Sequence, residues 1–327
     1  MRILFPLNII KLATTDMKLK EIDKVEVTCL VDDHGDLLLP STPVAHRPPL
    51  SESWYEKPPI AVHGFSVAVT FEISGIKHRV LFDAGLSPWA VSYNVDALDF
   101  DLSYCEMVIL SHGHIDHTGG LLNIRKKMNA QSIPLIVHKD AFKSRLFKFR
   151  DDNTINLPPL NKSLLIQAGY DIMEKNSPSL WFHDSILVTG EIPRTNNFEK
   201  GLPNHYTEED GKMESDPVVK DDQAIVLNIK DKGLVIITGC AHAGIINTID
   251  YAKELTGQDK IYAVMGGMHL SGESYNSIIP RTVDELEKHK PRFIIPCHCS
   301  GFNATHEIAR RMPTALIPNS VGTNYVF

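Results

Sequence analysis

Apolar residues recur along this chain in two rhythms. Short runs rich in Val, Ile and Leu stand at Lys24–Val31, Phe65–Ile73, Arg79–Phe82, Met107–Leu110, Leu135–Val137, Ser185–Val188, Ala224–Ile229, Leu234–Ile237, Ile261–Val264 and Phe293–Ile295. Runs of this length, several of them bounded by turn residues, predict β-strands. Between them, Gly120–Met128, Asp140–Phe147, Gly244–Leu255, Thr282–His289 and Asn303–Met312 carry helix-like patterns. Many strands interleaved with fewer helices predict sheets covered by helices. Two stretches break the rhythm. Residues 34–59 hold six prolines, and residues 193–222 are polar with Gly201 and Gly211. Irregular stretches of this length inside a compact domain tend to be functional covers or to be disordered. Both are therefore candidates to cover the active site of a single domain spanning residues 1–327. The segment Met1–Ile10 is read as a strand or an N-terminal extension.

Composition narrows the class. With 327 residues, 43% hydrophobic and 22% charged, the chain can bury a sizeable core without staples. A net charge of −7 argues against nucleic acid, whose phosphates call for clustered Lys and Arg. The basic runs are short, Arg125-Lys126-Lys127 and Arg310-Arg311. Five cysteines (Cys29, Cys105, Cys240, Cys297, Cys299) form no regular disulfide framework, which points to a reducing, cytoplasmic setting. No apolar stretch approaches the roughly 20 residues of a membrane span. The expected partner is a small molecule. No pattern fixes the oligomeric state, and a homodimer is kept as an option.

The chemistry concentrates in Ser111-His112-Gly113-His114-Ile115-Asp116-His117-Thr118-Gly119-Gly120, which follows an apolar run and precedes a helical pattern. A tight turn at a strand end can aim His112 and His114 at one ion, then turn Asp116 and His117 onto a second. Imidazole nitrogen with carboxylate oxygen suits Zn²⁺, Mn²⁺ or iron.

His-x-His-x-Asp-His after a strand resembles the signature of the metallo-β-lactamase superfamily. That resemblance implies an α/β fold, an αββα sandwich of two mixed sheets flanked by helices, with the metals at the sheet edges. It also implies two divalent ions, Zn²⁺ foremost, with Mn²⁺, Fe²⁺ or Mg²⁺ as alternatives. Leu81-Phe82-Asp83-Ala84-Gly85 looks like the family's earlier motif, in which the Asp supports the metal loop. Further ligands are expected at later strand ends, where His242, His269 and His298 each follow an apolar run. Ile295-Pro296-Cys297-His298 looks like the last metal motif. Cys240 stands where the family often has a bridging Asp. Either its thiolate bridges, or His242 takes over as ligand. The Gly-Cys-x-His-x-Gly-Ile pattern favours His242, and His269 is assigned to proton transfer as a general acid, with metal ligation as the alternative.

Several stretches, among them Val62-His63-Gly64-Phe65-Ser66 and Gly266-Gly267-Met268-His269-Leu270, resemble the branch related to 7,8-dihydropterin-6-methyl-4-(β-D-ribofuranosyl)aminobenzene-5′-phosphate synthase. The resemblance implies a hydrolase using a metal-activated hydroxide on an ester, lactone or phosphoester, with Asp116 both ligating and orienting the nucleophile. The alternatives are a synthase-like transferase releasing pyrophosphate, and a non-hydrolytic ligand-binding or redox protein. Glu191 and Arg194 sit where a strand ends, and Arg194 is a candidate clamp for an anionic substrate group. Asp221 and Asp222 are read as supports of the site or turn caps, His63 as a pocket residue, and His205 as solvated.

Overall fold

A computed structural model describes residues 17–49, 55–148 and 153–327; the expectation for Met1–Ile10 lies outside them. Every apolar run named above coincides with a strand. An eight-stranded sheet takes the order Tyr170–Glu174, Ile133–Val137, Met107–Ile109, Ile76–Phe82, Ser66–Ile73, Val25–Val31, Asn324–Val326, Ala45–His46. A seven-stranded sheet runs Ser179–Trp181, Ile186–Val188, Ala224–Ile229, Gly233–Thr238, Ile261–Gly266, Phe293–Pro296, with Glu21–Ile22 pairing onto Ala224–Ile229. Both sheets mix parallel and antiparallel pairs.

The apolar runs are continuous because the strands are buried on both faces. Successive side chains point to opposite faces, so Val80 and Phe82 enter the core between the sheets while Leu81 enters the outer one. Val235 and Ile237 likewise face the other sheet, and Leu234 and Ile236 face helices. Helices Ile245–Thr256, Ile279–His289 and Phe302–Arg311 cover the seven-stranded sheet. Helices Ala90–Ala97, Leu121–Ile124 and Lys162–Gln167 cover the eight-stranded one. The result is the αββα sandwich.

The strands Ile76–Phe82, Met107–Ile109 and Ile133–Val137 run parallel, as do Gly233–Thr238, Ile261–Gly266 and Phe293–Pro296. Their carboxyl ends therefore reach one rim, where the segments holding Asp83, His112, Cys240, His242, His269 and His298 begin. Ligand sites in α/β sheets collect at such ends.

Two expectations need correction. The helix over Asp140–Phe147 is a 3₁₀ turn, Lys139–Phe142, followed by a strand, Arg145–Lys148. Pairing overrides local pattern there, because Arg145–Phe147 bond to His205–Thr207. Nor is 193–222 a plain loop. It holds the hairpin His205–Glu209 and Lys212–Ser215, and with Arg145–Lys148 and Thr154–Leu157 it builds a third, four-stranded antiparallel sheet. The described part of 34–59 packs along the C-terminal segment, where Arg47 Nη1 donates to Thr323 Oγ1 at 2.7 Å. Among the described residues, no helix is long and apolar enough to cross a membrane.

Candidate metal centre

The centre begins with Asp83, just past the strand Ile76–Phe82. It is fully buried, and its left-handed backbone (φ 60°) turns the carboxylate under the histidine loop. Its Oδ1 accepts from Ser111 N at 2.7 Å. Its Oδ2 accepts from Ser111 Oγ at 2.7 Å and faces His117 Nδ1 at 2.6 Å. Ser111 Oγ lies 2.9 Å from His112 Nδ1. The outer nitrogens of His112 and His117 are thereby engaged, which leaves both Nε2 atoms to face inward. Gly239 is required by close approach, since a Cβ there would run into Ser111 and crowd Asp83.

Two donor groups form above this base. His112, His114 and His242 present ring nitrogens within 4.8 Å of one another, and all three rings are buried. Asp116, His117, Cys240 and His298 do the same. His112 Nε2 and His242 Nε2 are 3.2 Å apart. Burial, reinforced by neighbouring imidazoles, pushes His112, His114 and His242 well below the usual histidine range. They are neutral lone-pair donors facing one another, an arrangement that a cation between them relieves. His242 Nδ1 has no hydrogen-bond partner. In the second group, His117 Nε2 is 3.1 Å from Cys240 Sγ, and His298 Nε2 is 3.3 Å from Asp116 Oδ2. Burial opposes ionisation of Asp116, but His117 and hydrogen bonds from His298 and His63 hold its carboxyl well below the usual range. Nitrogen, oxygen and sulfur donors packed this closely fit a divalent metal.

Carboxylates also hold the ligand loops by their backbones. Asp221 Oδ2 accepts from Gly113 N at 2.8 Å, and its other oxygen pairs with buried Arg145. Asp222 Oδ2 accepts from Ala243 N at 2.9 Å, and Asp32 Oδ1 from His298 N at 2.6 Å. Asp33 Oδ1 lies 3.1 Å from His298 Nδ1. Ala241, His269 and His298 join Asp83 in the left-handed region, a backbone cost that concentrates at functional sites.

Sequence comparison agrees with this geometry. A family described as the beta-lactamase superfamily domain matches residues 78–153. The 7,8-dihydropterin-6-methyl-4-(beta-D-ribofuranosyl)-aminobenzene-5′-phosphate synthase of Methanocaldococcus jannaschii is 30% identical over 88% of this chain and 92% of its own length. The chain belongs to the metallo-β-lactamase superfamily, in the branch of that synthase. An uncharacterized protein of the same organism is 34% identical over 76% of this chain and 88% of its own. A crystal structure of a metal-dependent hydrolase of the beta-lactamase superfamily superposes with a TM-score of 0.70 at 23% identity, covering 92% of this chain and 98% of that one.

Within this metallo-β-lactamase frame, Cys240 and His242 are not alternatives: they fall in different donor groups. His269 joins neither. Its ring is tilted against His242 and edge-on to Tyr275 (centroids 4.3 and 5.0 Å), and burial pushes it down to about 4. It lines the cavity beside the His242 donor. His63 lines the rim, with Nε2 3.6 Å from Asp116 Oδ2. Hydrogen bonds to Asp116 and Asp33 raise it to about 9.

Three residues sit elsewhere than expected. Arg194 Nη2 donates to the carbonyls of Val218 and His242, which braces the His242 loop, and Arg194 is outside the cavity lining. Glu191 is exposed and outside the cavity. His205, expected in solvent, is buried, with Nε2 3.1 Å from His114 Nε2 and Nδ1 2.7 Å from the Asp216 carbonyl. Nothing local marked His205; only the hairpin pairing brings it in. Asp32-Asp33 was findable, as an acidic pair directly after a strand, like Asp83.

Proposed function

We propose that the protein is a metal-dependent hydrolase that binds two divalent ions, zinc foremost, and cleaves an ester, lactone or phosphoester bond of a small molecule. The observation that supports this reading is the pair of donor groups lying together at a cavity of about 650 Å³. Sulfur from Cys240 favours Zn²⁺ or Fe²⁺ over Mg²⁺. The two donor groups would hold divalent ions, which would supply Lewis-acid polarisation of the scissile group and a water of lowered pKa, toward about 7. The chain's own residues do the rest. Asp83, Asp221, Asp222 and Asp32 fix the donors before substrate arrives, as preorganisation requires. Asp116 keeps an ionised oxygen at the cavity wall, able to orient the attacking water. His63 brings an imidazole to the rim beside Asp116, where it can serve a leaving group as proton donor. Five free thiols suit a cytoplasmic setting.

Stripping the protein with chelator, counting its metal, then restoring Zn²⁺ or Mn²⁺ tests this reading. Hydrolysis of a nitrophenyl ester, a lactone or an aryl phosphodiester should vanish and return with the metal. Full activity in verified metal-free protein refutes it. A second reading, a transferase, is supported by the 30% identity to the synthase. It requires product only when a pterin pyrophosphate and an aminobenzene ribotide are supplied together.

A further inference from the structure

The third sheet carries a cross-strand row that ends at the metal donors. His205 pairs with Phe147, and Phe147 pairs with Ile155. Residues directly opposite one another share a sheet face, so these three side chains form one stripe, and all three line the cavity. At one end, His205 touches His114 at 3.1 Å. At the other, Ile155 lies on the outermost strand and is 50% exposed. Leu157, two residues on and hence on the same face, lines the cavity as well, as do Leu202, Ile115 and Leu86. Two strand spacings put Ile155 about 10 Å from the histidine end. The stripe thus grades from a polar inner end to an apolar outer one, over the length of a medium alkyl chain or an aryl ring. Arg145 and Arg194 are engaged by Asp221 and by backbone carbonyls, and His63 at the rim faces Asp33 and Asp116.

We propose that this face of the third sheet is a substrate subsite for an uncharged alkyl or aryl group, with the reacting bond at the His205 end and the apolar group over Phe147 and Ile155. Its place in the reaction rests on the hydrolase reading; its binding does not. The test is calorimetric titration of the zinc-loaded protein with acetate, butanoate, hexanoate and octanoate, the last kept below its micellar concentration. Full burial of a methylene tightens binding about fourfold, and partial cover about twofold, so octanoate should bind at least tenfold tighter than butanoate. Ile155→Asp should flatten the series and leave acetate unchanged. Ile155 is an exposed edge-strand residue, so the variant should fold, and Ile155→Val, which should restore most of the gradient, serves as the control. A series flat in the parent protein, or a gradient untouched by Ile155→Asp, overturns the subsite. A clear gradient in a protein that hydrolyses no ester, lactone or phosphodiester refutes the hydrolase reading and leaves the subsite standing.

Discussion

Replacing Asp83 by Asn tests how the metal loop is held. Asn tolerates the left-handed backbone at this position as Asp does, so the change adds no strain to the turn (φ 60°). Its Oδ1 can keep the bond from Ser111 N, 2.7 Å away in the parent. The amide nitrogen, however, replaces the oxygen facing His117 Nδ1 at 2.6 Å. Two N–H donors cannot face each other in a fully buried site. His117 must then carry its proton on Nε2, the atom 3.1 Å from Cys240 Sγ in the second donor group. That removes its lone pair from the site. Replacing such a support costs about 10- to 100-fold in metal affinity, or about 1.4–2.7 kcal/mol. The lost charge-assisted bond also costs about 1.5–3 kcal/mol of fold stability. Competitive chelator titration with metal counting reads the first quantity, and urea unfolding of metal-free protein the second. The His112, His114, His242 group is linked to Asp83 only through Ser111 Oγ, which bonds Asp83 Oδ2 and lies 2.9 Å from His112 Nδ1, so its loss of affinity should be the smaller of the two. A folded D83N protein that binds both ions as tightly as the parent refutes the argument.

Cys240→Ser removes the one sulfur donor from the second group; on the proposed two-ion reading, zinc bound per chain should drop from two to one by elemental analysis, and an unchanged metal content would remove Cys240 from the ligand set. Asp32 has its carboxyl raised to about 6 from 3.8, chiefly by burial. The folded state thus holds that proton more tightly than the unfolded one, so the contribution of Asp32 to stability is fully present below about pH 4 and is lost as pH rises through 6. In metal-free protein, the parent should lose up to about 3 kcal/mol relative to Asp32→Asn between pH 4 and pH 7, and urea melts showing a pH-independent difference would remove burial as the controlling term.

How far the chain announced all this depends on the range of the interaction. His112, His114, Asp116 and His117 were legible because one turn at one strand end brings them together, so sequence spacing and spatial spacing coincide. Cys240, His242, His269 and His298 were legible as strand-end residues, because parallel strands must deliver their carboxyl ends to one rim. The division of Cys240 and His242 between two donor groups was not legible. It depends on which way Ala241 turns, and a left-handed residue between Cys240 and His242 sends the two side chains to different groups. The third sheet was the largest omission. Its strands are short, half-exposed and weakly apolar, so propensity carries little signal, and pairing between residues about 60 positions apart decides the outcome. His205 and Phe147 owe their place in the cavity to that pairing alone. The histidine loop of the metal centre can thus be read from local turns, while the third-sheet wall of the cavity is written in long-range contacts. Substrate choice in this chain should therefore change with the hairpins at far less cost to the fold than any change at Asp83.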